Sequence, residues 1–165
     1  SGEELLPAFR LFVSDLEKKE DYIAPCDVTF SHYIGDRMAC RSKSRTAPAY
    51  IRIRAHGLNG TDRAICNLVD KEGRGYGTAF DLKAEASDIL IPVSDLVPTK
   101  AAMLPQDWPG VNPYWYPASA QENNGIALDW KIIDFVQISL RDELYDIGNR
   151  KNKGIIVERI DLLFR

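Results

Sequence analysis

A chain of 165 residues with 45% apolar and 27% charged side chains is long enough to bury a real core and is ordinary for one soluble globular domain. The formal net charge of −3, with Lys and Arg scattered along the chain, argues against a nucleic-acid binder. No apolar run approaches the roughly 20 residues of a membrane span. No stretch reads as a signal peptide, and the opening Ser1-Gly2 reads as a cloning remnant on a mature fragment or a single excised domain, 1–165.

In chain order, Phe9, Leu11 and Val13 alternate with Arg10 and Phe12 as an opening strand. The charged run 14–20 predicts one short turn with Ser14 as a weak N-cap. Further on, Val28, Phe30, His32 and Ile34 share one face of a strand, and Asp27, Thr29, Ser31 and Tyr33 share the other. Gly35-Asp36 then reads as a turn and Arg37 to Lys43 as the returning strand. Residues 49–55 form the clearest strand, with Ile51, Ile53 and Ala55 inward and Tyr50, Arg52 and Arg54 outward. A turn over 56–60 leads to a strand at 63–69, and a Gly-rich turn at 70–75 sends residues 76–82 back against it.

Ile89-Leu90-Ile91 is closed by Pro92, which marks an edge strand because proline donates no ladder hydrogen bond. Pro98, Pro105, Pro109, Pro113 and Pro117 follow, interleaved with Trp108, Tyr114, Trp115 and Tyr116. Such a segment makes neither a helix nor a central strand, so its rings ride on an ordered loop. Residues 129–141 predict a central strand with a bulge at Ile132-Ile133, and 154–164 closes the sheet after a polar hairpin-type loop. Short strands at roughly 8–12-residue spacing predict an all-β fold, a β-sandwich or jelly roll of two mainly antiparallel sheets with little helix.

The succession IRIRAHGLNG, ICNLVDKEGRGYGTAFDL, DILIPVSDLVP, LPQDWPGVNPYWYP, DWKIIDFVQISL and GIIVERIDLLF resembles the galactose-binding-like β-jelly-roll accessory domains of the carbohydrate-binding-module type. The resemblance covers roughly Tyr50 to Phe164. It implies a secreted, periplasmic or cell-surface setting, and attachment to the catalytic domain of a bacterial glycoside hydrolase or lyase in the same polypeptide. Its members bind oligo- or polysaccharide or brace the catalytic domain, and they often hold a structural calcium. Asp15 and Asp161 are acids near the first and last strands, although no dense acidic loop marks a ligand set.

An exposed ring stacks on the C–H face of a pyranose, which makes Trp108, Tyr114, Trp115 and Tyr116 carbohydrate-binding candidates; the alternative is that they plug an open end of the sandwich. Trp130 opens a core strand and reads as packing. Arg41, with Arg37 and Lys43, and Arg52 with Arg54 make one cationic patch if their strands share a sheet. That patch suits an acidic plant or algal polysaccharide, whereas neighbouring acids such as Asp27, Asp36, Asp62 or Asp81 would neutralise it.

His32 falls on the core-facing parity and His56 heads a turn, so neither forms a zinc site. Cys26, Cys40 and Cys66 lack C-x-x-C spacing and read as buried strand residues, with one disulfide open to them. No nucleophile elbow or phosphate loop is present, and Gly73-Arg74-Gly75-Tyr76-Gly77 reads as turn chemistry. The reading is a non-catalytic carbohydrate-binding domain with no cofactor. The alternatives are a structural module that binds no sugar and, more remotely, a small jelly-roll glycosidase or lyase.

Overall fold

The computed structural model describes residues 2–6, 8–17, 27–41, 43, 46–103, 116–117 and 125–164; for Gly2–Leu6, Met103, Tyr116 and Pro117 it describes the backbone. Two five-stranded antiparallel sheets pack face to face as a β-sandwich of jelly-roll type. The first sheet contains β1 (Gly2–Leu6), β2 (Phe9–Asp15), β4 (Pro48–Leu58), β7 (Ser87–Pro92) and β12 (Lys151–Phe164). Its order is β1-β12-β4-β7, with β2 pairing along the other half of the 14-residue β12. The second sheet runs β3-β11-β5-β6-β8, where β3 is Val28–Tyr33, β5 Arg63–Asp70, β6 Gly75–Asp81, β8 Val97–Thr99 and β11 Ile133–Leu140. A small antiparallel pair, β9 (Ala102–Met103) and β10 (Tyr116–Pro117), stands outside both.

Alternation builds the core as expected. Ile51, Ile53 and Ala55 on β4 and Ile155, Val157, Ile160 and Leu162 on β12 face Val136, Ile138 and Leu140 on β11 and Cys66 and Leu68 on β5. Burying each such side chain stabilises the fold by about 1.5–3 kcal/mol relative to leaving it in water. The predicted β3 face also holds, because Val28, Phe30 and His32 lie opposite Leu140, Ile138 and Val136. Phe30 stacks on Phe9 across the sheets at 3.9 Å. The edge position of β7, the central position of β11, and the packing role of Trp130, edge-on to Phe164 at 6.1 Å, are likewise as read.

Several expectations are corrected. Residues 35–41 are a helix, α1 (Gly35–Arg41), not a returning strand. Asp36 in its first turn and Arg41 in its last complement the helix dipole, and Ile34 and Met38, four apart, bury one side against the core. Ser14 and Asp15 continue β2 instead of opening a turn. The turn after β4 comes at Asn59 and Gly60, both at positive φ, so His56 is a strand residue with a buried, unpartnered Nδ1. A 3-10 turn at Trp130–Ile132 precedes β11, and the irregularity falls between Ile133 and Phe135. Cys66 is buried and free on β5, where burial pushes its thiol up to about 12. Cys40 is free and exposed on α1, and Cys26 lies outside the described residues.

Candidate functional site

Strand polarity gives the second sheet an outer face whose rows follow the cross-strand register. One row is Thr29, Ser139, Ile65 and Ala79; the next is Ser31, Gln137, Asn67 and Gly77; the third is Tyr33, Phe135, Val69 and Gly75. Asn67, Gln137 and Ser139 are buried although they point away from the core. Part of what covers them is the chain itself. After β8 pairs with β6, residues 99–103 cross this face as a strap and reach β11.

Three side chains hold the strap. Gln137 accepts from the Ala102 amide (3.1 Å) and donates to the Ala102 carbonyl (2.6 Å) and to Ser31 Oγ (3.2 Å). Asn67 Nδ2 and Arg141 Nη2 both donate to the Lys100 carbonyl, at 3.0 and 2.9 Å. Burial pulls the Arg141 pKa down, and Asp27 and Glu143 oppose that shift. Lys100 Nζ reaches Asp27 at 2.9 Å and so fastens the strap to the chain just before β3.

The glycines of β6 make the crossing possible. A Cβ at Gly75 would stand 2.7 Å from the Thr99 carbonyl and 2.9 Å from Ala101 Cβ; one at Gly77 would stand 1.8 Å from Asn67 Oδ1. Gly75 thus opens a strand where the sequence reading had ended the turn, and Gly77 lies in that strand as read; alternate glycines in a strand are themselves the signal of a close backbone approach. The turn proper belongs to Asp70, whose carboxylate accepts from the amides of Glu72 and Arg74 and from Arg74 Nε at 2.7 Å.

The aromatic, proline-rich stretch leaves the strap at Met103 and returns at Tyr116–Pro117, whose backbone pairs with Ala102–Met103. Both stems therefore meet at one place. Of the four predicted rings, Trp108, Tyr114 and Trp115 lie outside the described residues, and Tyr116 is described by its backbone alone. On the same face, sequence reasoning overlooked Tyr33, half exposed and edge-on to Phe135 at 5.5 Å. Its hydroxyl donates to Asp36 at 3.2 Å. Asp134 converges on the same corner, since its Oδ1 and the Tyr33 hydroxyl both lie within 2.6 Å of where a Gly35 Cβ would be. Desolvation raises the Asp134 pKa, Lys71 opposes it, and Asp36 adds to it.

The predicted arginine patch does not assemble. Arg41 ends α1, which packs on β11 of the second sheet, whereas Arg52 and Arg54 lie on the outer face of the first. Arg52 Nε and Nη2 both donate to Asp161 Oδ2, at 2.8 and 2.6 Å. Arg159 Nε donates to Oδ1 of the same buried carboxylate at 2.8 Å. Arg54 bridges Glu158 and Asp88 at 2.9 and 3.4 Å, and these bonds raise its pKa. Neutralisation by acids was foreseen, but for Arg52 and Arg54 the partners are Asp161, Glu158 and Asp88, not those named from the sequence.

Asp15 and Asp161 sit at opposite ends of β12, since Asp15 pairs with Lys151. Ten residues of strand span about 33 Å, so the two acids do not share an ion. Among the described residues no group of three His, Cys, Asp or Glu side chains is placed to hold a metal. An apolar cavity of about 340 Å³ opens between Pro48, Tyr76, Leu96, Leu128 and Trp130.

The chain matches no protein-family model and no curated protein. It is similar to the solved family 11 carbohydrate-binding module of the cellulosomal cellulase Lic26A-Cel5E of Clostridium thermocellum, at 12% identity and a TM-score of 0.47, covering 100% of this chain and 87% of that one. It is similar to the family 11 module from Clostridium thermocellum in complex with a beta-1,3-1,4-mixed-linked tetrasaccharide, at 12% identity and a TM-score of 0.46, over 96% of this chain and 97% of that one. A third similar structure is an agarase, AgWH50C, at 9% identity and a TM-score of 0.43, where 96% of this chain covers 19% of that one. No helix of the described residues is long and apolar enough to cross a membrane.

Proposed function

We propose that this chain is a non-catalytic carbohydrate-binding domain whose ligand is a polysaccharide lying along the outer face of the second sheet. The observation that carries the reading is the pinned strap. Gln137 grips Ala102, where the stems of the segment that carries Trp108, Tyr114, Trp115 and Tyr116 pair, Asn67 and Arg141 hold Lys100 just before it, and the same sheet face presents the exposed Tyr33. An exposed ring stacks on a sugar's C–H face without competing for the hydrogen bonds of its hydroxyls. Asp36 and Asp134 beside Tyr33 suit neutral hydroxyls and repel uronates. The acidic-glycan alternative rested on Arg41, Arg52 and Arg54, and the latter two are engaged by carboxylates. We therefore favour a neutral glycan.

In this reading the domain works outside the cell. It holds the catalytic domain of the same polypeptide near polysaccharide, which raises the effective substrate concentration without chemistry. A second surface favours direct packing on that catalytic domain: Tyr50 and Leu90 are exposed and neighbouring on the outer face of the first sheet.

Titration calorimetry and tryptophan fluorescence against a neutral β-glucan, agarose oligosaccharides and alginate test the proposal. Expected are saturable binding of a neutral glycan that resists high salt, and an affinity lower by about five- to tenfold in Trp115→Ala, the range of one stacking contact. Binding of no glycan overturns the reading; salt-sensitive binding of alginate alone restores the acidic class.

A further inference from the structure

Alternation along β3 turns Tyr33 outward on the edge of the second sheet, opposite Phe135. The hydroxyl end of its ring lies across Gly35, where a Cβ would stand 2.6 Å from the phenol oxygen and 2.7 Å from Cε2. Phe135 meets the ring edge-on at 5.5 Å, and half of the Tyr33 side chain stays open to solvent. The hydroxyl donates to Asp36 at 3.2 Å, which restrains the ring. Asp134 Oδ1 stands within the same 2.6 Å of the Gly35 Cβ position, so a second carboxylate flanks the phenol oxygen.

Asp134 is the unexplained member of this corner. It is half-buried, desolvation raises its pKa, Lys71 attracts it, and Asp36 and Asp70 repel it. Among the described residues no side chain or amide donates a hydrogen bond to it. A carboxylate kept partly desolvated without a donor costs the fold stability, and an ionised carboxylate can only accept. A ligand hydroxyl supplies the missing donor. We infer that Tyr33, Asp36 and Asp134 form a subsite for one pyranose unit: its C–H face stacks on Tyr33, and free hydroxyls at its edge donate to the two carboxylates. The unit recognised is an unsubstituted neutral sugar, because an O-methyl or O-acyl group removes the donor and a uronate adds charge of the same sign. The inference rests on the carbohydrate-binding reading and names the sugar chemistry which that reading leaves open.

Calorimetry on the full chain tests it with a β-glucan and an agarose oligosaccharide, each also fully O-methylated, and the melting midpoint is read alongside. The parent is expected to bind a free oligosaccharide about tenfold more tightly than its methylated form, the worth of one hydrogen bond to a charged acceptor. Asp134→Asn keeps the shape and removes the charge. It should weaken binding of the free oligosaccharide about fivefold and leave the methylated form unchanged. It should also raise the melting midpoint, because the fold no longer holds a desolvated charge, whereas a purely structural role predicts a lower one. Tyr33→Leu keeps an apolar contact for Phe135 and loses the flat face, so both forms should weaken about five- to tenfold. Tyr33 is half exposed on an edge strand, so this change leaves the core intact. Equal affinity for the free and methylated forms, parent-like affinity in either variant, or a midpoint that does not rise in Asp134→Asn overturns the subsite. Each of those outcomes leaves the carbohydrate reading standing; a parent that binds none of the probes takes both down.

Discussion

The two outer faces of the sandwich are built by the same alternation and satisfy their polar groups in opposite ways. On the first sheet, charges along β12 and across β4 and β7 neutralise one another: Arg52 and Arg159 share the buried Asp161, and Arg54 bridges Asp88 and Glu158. The charges described there are matched among themselves, and Tyr50 and Leu90 are the apolar groups left exposed beside them. On the second, the amides of Gln137 and Asn67 reach a crossing piece of backbone, although Asn67 Oδ1 stays unpartnered, and the hydroxyls of Thr29 and Ser139 pair with each other. A face of amides accepts a chain laid on it, whether its own or a ligand's hydroxyl-rich one. A face of matched ions does not.

The widest break in this contrast comes from Gly77→Ala. A Cβ there overlaps Asn67 Oδ1 and approaches the Cys66 carbonyl to 2.6 Å. Overpacking of this kind costs about 2–3 kcal/mol, and urea titration should show that loss together with weaker glycan binding. Asp161→Ala attacks the other face. It removes the acceptor of two guanidiniums that are 32% and 47% exposed and so able to rehydrate. The expected loss is about 2 kcal/mol, below the full range for a broken buried pair, and glycan affinity should stay at the parent value. A fall in affinity would mean that the first sheet's face binds sugar after all. Arg54→Ala sharpens the same point with the smallest effect: its pairs are exposed and screened, so neither the denaturation midpoint nor the affinity should move.

Much of this architecture is legible along the chain. The strand at β4 and its two faces follow from Ile51, Ile53 and Ala55 alternating with Tyr50, Arg52 and Arg54, and Pro92 ends its edge neighbour as read. The helix α1 was missed because seven residues carry too short a pattern to separate a period of two from one near four. The spacing of Ile34 and Met38, with Asp36 early and Arg41 late, was the available signal. Tyr33 was assigned correctly to the outward parity, yet its exposure beside Phe135 depends on a neighbour about a hundred residues away. The strap left one trace in the sequence, the alternate glycines of β6.

The sequence by itself determined the class of fold, the two sides of the strands at 9–13, 28–34 and 49–55, and the concentration of rings between Met103 and Pro117. Those properties are local: they follow from side-chain period and from what proline and glycine do to the backbone next to them. Only the tertiary structure decided which acid each arginine found, where the ends of the aromatic stretch are fastened, and that Gln137 rather than a charged residue fastens them. Apart from Arg159 with Asp161, such pairings join residues 33 to 109 positions apart, and they exist only once the strand register has been set by the core beneath.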